Sequence, residues 1–143
     1  MINEIELAIN KKIKSVYPDI WIEPEDVKDG FKRPSFFIDF PYSKTKRISD
    51  EFYQKDLSVV IHYFPSNKNK YSMENTEISE EIEKLFLGKK LIVGDKHIPI
   101  NSIEIDTVDG VLKVSFDLEV NTRIEEIDDN ELMGELEVNM KEE

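Results

Sequence analysis

The chain has 143 residues and no cysteine, and its 31 acidic residues against 19 basic ones give a formal net charge of −12. This length is typical of one domain that buries its own core. The lack of thiols excludes a disulfide framework, a thiolate zinc site and a cysteine nucleophile. The acidic balance argues against tight binding of DNA or RNA phosphates, and no apolar run approaches the roughly 20 residues that span a bilayer.

The first predicted element is an amphipathic helix that ends before Pro18. Apolar residues that recur every three or four positions share its inner face: Ile2, Ile5, Ile9, Ile13 and Val16. A short strand from Ile20 to Glu23 is predicted next, with Trp21 on one face. A charged loop then runs from Pro24 to Lys32, and Gly30 is its expected turn point.

Two longer strands are predicted after this loop. Ser35 to Phe40 alternates side chains between two faces, and Glu51 to Phe64 does the same over a greater length. We expect a polar, basic loop between them, from Pro41 to Lys46. Pro65 and the polar run after it should end the second strand.

A second helix and two hairpins complete the predicted domain. Ser72 suits the N-cap of the helix, and Gly88 suits its C-cap. Its inner stripe holds Ile78, Ile82, Leu85 and Phe86. The first hairpin turns at Gly94–Asp95, and Asp109–Gly110 is a strong signal for a type I′ turn in the second.

This order of elements predicts the α+β class. We expect one two-layer domain over residues 1–123, with a mostly antiparallel sheet and two helices packed on one of its faces.

An acidic arm follows over residues 124–143. It carries nine acidic residues against one basic residue, Lys141. Its apolar residues exceed what a solubilising tail needs: Ile127, Leu132, Met133, Leu136, Val138 and Met140. We expect the arm to dock on a neighbouring copy or a partner. The alternative is an arm that is disordered in the free protein and loses entropy only on docking.

The sequence indicates no catalytic, cofactor or metal site. His62 sits in a strand and His97 in a short hairpin, with no third ligand nearby for zinc. Met133 and Met140 stand where a calcium loop beginning at Asp129 would need oxygen ligands. The sequence therefore favours a protein that is not an enzyme and has no cofactor; an enzyme that uses His62 with nearby acids is the less favoured alternative.

Three segments, in this order and spacing, resemble the tail terminator (tail completion) proteins of long-tailed phages and prophages of Gram-positive bacteria. They are GFKRPSFFIDF (Gly30–Phe40), VVIHYFP (Val59–Pro65) and VDGVLKVSFDLEV (Val108–Val120). The opening helix and the acidic closing segment fit the same family.

The resemblance implies a structural protein of virion assembly, located in the virion tail and, during assembly, in the host cytoplasm. Its implied partners are copies of itself in a hexameric ring, the tail tube protein and the head–tail connector. DNA would only pass through the lumen, without specific binding, and no membrane is involved. A connector, stopper or adaptor role is the nearest alternative, and an acidic DNA mimic is a more distant one.

The candidate interface residues come from two loops and the arm. The loops Pro41–Lys46 and Pro65–Tyr71 are the expected contacts to the tube or the connector. Their basic residues, with one that follows the first loop, are Lys44, Lys46, Arg47, Lys68 and Lys70. The arm adds the six apolar residues given above.

Overall fold

The computed structural model describes residues 1–24 and 32–124. Over these residues the chain forms two helices and seven strands. In chain order they are α1 (Ile2–Val16), β1 (Trp21–Glu23), β2 (Ser35–Arg47), β3 (Phe52–Phe64), α2 (Ser72–Phe86), β4 (Lys90–Val93), β5 (Lys96–Pro99), β6 (Glu104–Val108) and β7 (Val111–Arg123). The predicted α+β class and the predicted order of elements are confirmed.

Five of the strands form one sheet in the order β1–β2–β3–β7–β6, and β4 pairs with β5 in a separate hairpin. Every pair is antiparallel except β1 with β2, which run parallel. The central strand β3 pairs with both β2 and β7 along nearly its whole length. The prediction of a mostly antiparallel sheet is therefore confirmed.

Both helices pack on one face of this sheet, which we call the inner face. The buried residues of the helices join alternate residues of β3 and β7 in one core: Ile5, Ile9, Ile13, Ile78, Ile82, Phe86, Leu57, Val59, Ile61, Leu112, Val114, Phe116 and Leu118. Fully burying such a side chain contributes about 1.5–3 kcal/mol. These apolar spacings are why the helices and strands form where they do.

The last turn of α1 departs from the predicted stripe. Val16 is 39% exposed, although its spacing placed it on the buried face. The next residue, Tyr17, packs against the core instead, and its ring lies 5.8 Å from that of Phe36. The chain leaves the helix at this point, so the periodicity no longer dictates which side chain is buried.

The segment predicted as a loop, Pro41 to Lys46, is strand. It continues β2 and pairs with β3 from Tyr42 to Arg47 after a register shift that follows Asp39. Pro41 lies in this irregular stretch, where a residue without an N–H is tolerated. The remaining residues are polar and exposed on both faces, so no apolar alternation marks them as strand.

The caps of α2 differ from those predicted. Tyr71 is the N-cap and no side chain caps the helix, so Ser72 is its first residue rather than its cap. Leu87 is the C-cap, and Gly88 follows with φ of +72°, which suits glycine. Buried Asn75 links this helix to the second hairpin, because its Nδ2 donates to the Gly110 carbonyl at 3.1 Å.

The second hairpin turns as its sequence predicts. Asp109 has φ of +53° and Gly110 has φ of +80°, and a type I′ turn requires positive φ at both central residues. A Cβ at Gly110 would lie 3.1 Å from the ring of Tyr71. Backbone conformation and close packing thus both favour glycine at this turn.

Candidate assembly surface

The sheet has a closed end, where β1 and β6 flank it, and an open end, where they do not. β1 pairs only with Ser35–Phe37 of β2, and β6 pairs only with Val111–Ser115 of β7. Within residues 1–24 and 32–124, the outer sides of residues 38–47 and 116–123 therefore pair with no other strand, although β5 approaches β7 near Asn121. Unpaired backbone donors and acceptors along such edges are a template for pairing with another chain.

These two free edges carry opposite charges on the outer face, which points away from the helices. Lys44 and Lys46 are exposed on β2, and Asp117 and Glu119 are exposed on β7. Strand register sets the rows between them: Lys44, Asp56 and Glu119 form one row, and Tyr42, Ser58 and Asp117 form the next. One edge of the open end is thus basic, and the other is acidic at Asp117 and Glu119 and ends at the exposed Arg123.

A hollow of about 610 Å³ lies across this outer face. Three carboxylates line it, those of Asp56, Asp117 and Glu119, together with residues of the segment that precedes β6. The Ser58 hydroxyl donates to Asp117 at 3.0 Å across the two strands. The described part of the chain contains no group of three or more residues suited to hold a metal ion.

The tip that joins β2 to β3 is held in shape by its own side chains. Arg47 donates to the Ser49 carbonyl and to Asp50, each at 3.2 Å. The Ser49 hydroxyl accepts from the backbone of Glu51 and Phe52, at 3.2 and 3.1 Å. Arg47, predicted as an interface residue, therefore also has a local role in ordering the turn.

His62 lies on the outer face at the closed end, between two aromatic rings. Its ring centroid is 5.5 Å from that of Phe37 and 6.5 Å from that of Phe64, and Arg33 lies over Phe64 at 6.0 Å. The hollow at the open end is lined by other residues.

A family model described as phage tail terminator protein matches residues 4–130. The chain belongs to the phage tail terminator family. This confirms the resemblance read from its sequence motifs, and the Gram-positive origin stays a prediction. Members of this family are structural proteins of the phage tail, so the protein takes part in tail assembly, interacts with tail proteins and is located in the virion tail.

The other comparisons add little to the family match. One solved structure is 17% identical to this chain, with 86% of this chain and 95% of that chain covered and a TM-score of 0.42. A TM-score this low supports no argument. No curated protein matches the sequence. Of the described helices, none is both long and apolar enough to cross a membrane.

The basic residues predicted as interface contacts do not form one patch. Lys68 and Lys70 lie in the loop after β3, beyond the closed end, whereas Lys44 and Lys46 lie at the open end. The length of β3 separates the two pairs by roughly 30 Å, at about 3.4 Å per residue. Their role at an interface stays a prediction, and the two pairs would have to contact different surfaces.

The loop that holds Lys68 and Lys70 is tied to α2 by Glu74. This carboxylate accepts from the Tyr63 hydroxyl at 2.5 Å, and from the hydroxyl and backbone N–H of Ser66 at 2.6 and 2.9 Å. Burial, the largest contribution, raises the pKa of Glu74, but the three bonds outweigh it and lower that pKa below its ordinary 4.5. Burial and the bond to Glu74 raise the pKa of Tyr63 above its ordinary 10.0.

The six apolar arm residues predicted as contacts lie outside the described residues: Ile127, Leu132, Met133, Leu136, Val138 and Met140. The structure does fix where the arm begins. The Ile124 N–H donates to the Glu51 carbonyl at 2.9 Å, which places the start of the arm beside the tip of the β2–β3 hairpin. The family match extends to residue 130, so the predicted boundary after Arg123 stays a prediction.

Sequence reasoning missed the acidic edge formed by Asp117 and Glu119. The alternation of β7 identified a buried face and a solvated face, and both residues belong to the solvated one. What the sequence does not give is the extent of strand pairing, because no pattern within β7 indicates where its pairing with β6 ends. Only the pairing of the strands reveals that these carboxylates stand beside a free edge.

Proposed function

We propose that this protein caps the tail tube. Copies of it assemble as a ring on the end of the finished tube, stop its polymerisation and present the head-facing end of the tail to the connector. The family resemblance implies that the ring contains six copies. Membership of the terminator family over residues 4–130 is the observation that carries this proposal.

The shape of the subunit supports the proposal. The open end combines two free strand edges with an ordered tip, in which Arg47 and Ser49 hold the turn. Free edges suit contact with a second copy, and an ordered tip can contact the tube with little loss of entropy. A subunit built for assembly needs both kinds of surface.

The charge of the protein supports passage of DNA without binding. The net charge is −12, and Glu104 and Asp106 on β6 join Asp117 and Glu119 as exposed acidic residues. Carboxylates repel phosphates instead of releasing their counterions. A lumen lined by such residues lets the DNA backbone slide.

For the arm, we propose docking on a neighbouring copy or a tail partner. Its nine acids and six apolar residues, and its start beside the hairpin tip, support this role. A chain ending at Arg123 should keep the circular dichroism and melting temperature of the compact domain but lose part of its association. A truncated chain that fails to fold would contradict the boundary at Arg123.

The test of capping is polymerisation of the purified tail tube protein of the same phage, with and without this chain. We expect shorter tubes of narrower length distribution, with the protein at one tube end in electron micrographs. Tubes of unchanged length, with no protein at their ends, would contradict capping. Binding to the purified connector protein without binding to tubes would instead support the connector or adaptor alternative.

A further inference from the structure

The free edges of the open end differ in a way that determines which edge each can meet. β2 presents residues 38–47 with Lys44 and Lys46, and β7 presents residues 116–123 with Asp117 and Glu119. Both stretches lie at the same end of the sheet, since residues 42–47 pair with residues 53–58 of β3 and residues 116–123 pair with residues 52–59. The two edges therefore match in position and oppose each other in charge.

We propose that successive copies of this chain join head to tail by pairing the free edge of β2 in one copy with the free edge of β7 in the next. The inference names the contact that builds the ring proposed above, and it rests on that function. Both strands run antiparallel to β3, so a head-to-tail repeat brings them together in parallel. The sheet then continues from one copy into its neighbour.

Charge selects this arrangement over symmetric ones. Two β2 edges side by side would bring together Lys44 and Lys46 of both copies, and two β7 edges would bring together their carboxylates. Like charges directly opposite on a sheet face are destabilising, whereas opposite charges are favourable. The lysines thus prevent the basic edge from pairing with itself and leave it able to meet the acidic one.

The hollow provides room beside the acidic edge. It is bordered by Asp117 and Glu119 on one side and by residues that precede β6, Asn101 and Ser102, on the other. Lys96 donates to the Asn121 carbonyl at 3.3 Å, so one acceptor of this stretch is already engaged. Pairing therefore centres on residues 116–120.

The outline of the sheet requires a rotation between successive copies, as a ring does. β1 and β6 make the closed end wider than the open end. Copies that meet along their open ends must therefore incline to each other so that their closed ends do not collide. A fixed rotation between successive copies allows closure, whereas a head-to-tail contact that does not close produces an open fibre.

Charge reversal in the full-length chain tests this pairing. Lys44→Glu with Lys46→Glu makes both free edges acidic, and Asp117→Lys with Glu119→Lys makes both basic. We expect each variant alone to associate about tenfold more weakly than the unchanged chain, which corresponds to about 1.4 kcal/mol. Light scattering after gel filtration, over a wide concentration range, measures the mass.

The decisive experiment is an equimolar mixture of the two variants. Every contact in the mixture can again join an acidic edge to a basic one, so we expect the mass of the unchanged chain to return. Controls make the same change of charge away from the edges: Lys11→Glu with Lys90→Glu, and Glu77→Lys with Glu80→Lys. These four residues are exposed, and both controls should associate like the unchanged chain.

Three results would overturn the inference. The first is reversal variants that keep the unchanged mass, and the second is a mixture of folded variants that stays dissociated. The third is an unchanged chain that is monomeric at the highest concentration. In that case, capping is tested only by the length of the tail tubes in the polymerisation experiment. Conversely, normal association with tubes of unchanged length would contradict capping and leave the edge pairing standing.

Two further variants keep the test decisive. If a double reversal fails to fold by circular dichroism, Lys46→Glu and Glu119→Lys replace it, with the same rescue expected on mixing. Leu132→Ser with Leu136→Ser tests whether the arm is the segment that meets β2. Loss of association in this arm variant alone, with the edge variants unaffected, would show that β7 is not the partner of β2 and would overturn the inference.

Discussion

The two halves of β2 show how differently the ends of this molecule are built. At the closed end, Phe36 is buried on the inner face beneath the helices, and β1 pairs alongside residues 35–37. At the open end, residues 41–47 are exposed, and their outer edge adjoins no described strand. One strand thus serves the core with its first half and presents a free edge with its second, so stability and assembly depend on different residues.

The largest predicted effect is on the hydrophobic core beneath the inner face of the sheet. Phe86 is 0% exposed and its ring lies 5.5 Å from that of Phe116. We expect Phe86→Ala to lower the free energy of unfolding by about 3–5 kcal/mol, because it removes apolar contacts and leaves a cavity. Urea denaturation measures the loss.

Met73 is the matched control on the same helix. It is 77% exposed, so Met73→Ala should change the free energy of unfolding by no more than about 0.5 kcal/mol. Equal effects at the two positions would mean that α2 does not pack on the sheet as described.

The next effect concerns the turn between β6 and β7. Gly110→Ala should cost about 1–3 kcal/mol, the strain of a side chain at positive φ, increased by the approach of its Cβ to Tyr71. Gly94→Ala is the control, since Gly94 has φ of +62° and nothing within 4 Å of the added carbon. Thermal melts should show the larger loss at Gly110, and the reverse order would contradict the packing of Tyr71.

A smaller effect depends on pH and tests the bonds of Glu74. The pKa of this carboxyl is lower in the folded chain than its ordinary 4.5, so its ionised form stabilises the fold. That contribution is present above the unfolded pKa and is lost as pH falls through the folded pKa. The melting temperature of Glu74→Gln should therefore lie below that of the unchanged chain at pH 7, and the gap should shrink under acidic conditions.

A gap that stays constant from pH 7 to pH 3 would contradict this role for the carboxylate. Glu80→Gln on the same helix is the control, because Glu80 is exposed. Its melting curve should follow that of the unchanged chain at every pH.

The smallest effect on stability is expected at the open end. Lys44→Ser with Lys46→Ser should change the free energy of unfolding by no more than about 0.5 kcal/mol, because both side chains are exposed. The same variant should associate more weakly than the unchanged chain. Loss of stability without loss of association would contradict the claim that the open end serves association rather than stability.

Sequence patterns predicted the buried faces and the second hairpin turn of the molecule well. The stripe of Ile5, Ile9 and Ile13, the alternation of β7 and the turn at Asp109–Gly110 each have a local physical cause. Burial of one face sets the spacing, and positive φ sets the turn residues. The fold class followed from their order.

The open end could be predicted only in part. The exposed half of β2 has polar residues on both faces and Pro41 in its irregular stretch, so it resembled a loop in the sequence. Lys44 and Lys46 were identified as contacts by their charge. Their acidic counterparts, Asp117 and Glu119, could not be identified, because the limits of β6 depend on long-range pairing that no local pattern encodes.

Hydrogen–deuterium exchange on the full-length chain, followed by mass spectrometry of its peptides, tests the pairing of the two edges most directly. Exchange is compared between dilute protein and protein concentrated enough to associate. If the two edges pair across copies, residues 38–47 and 116–123 should become protected together on association, because their backbone groups are then hydrogen-bonded. Association that protects other segments and leaves these two edges unchanged would contradict this pairing.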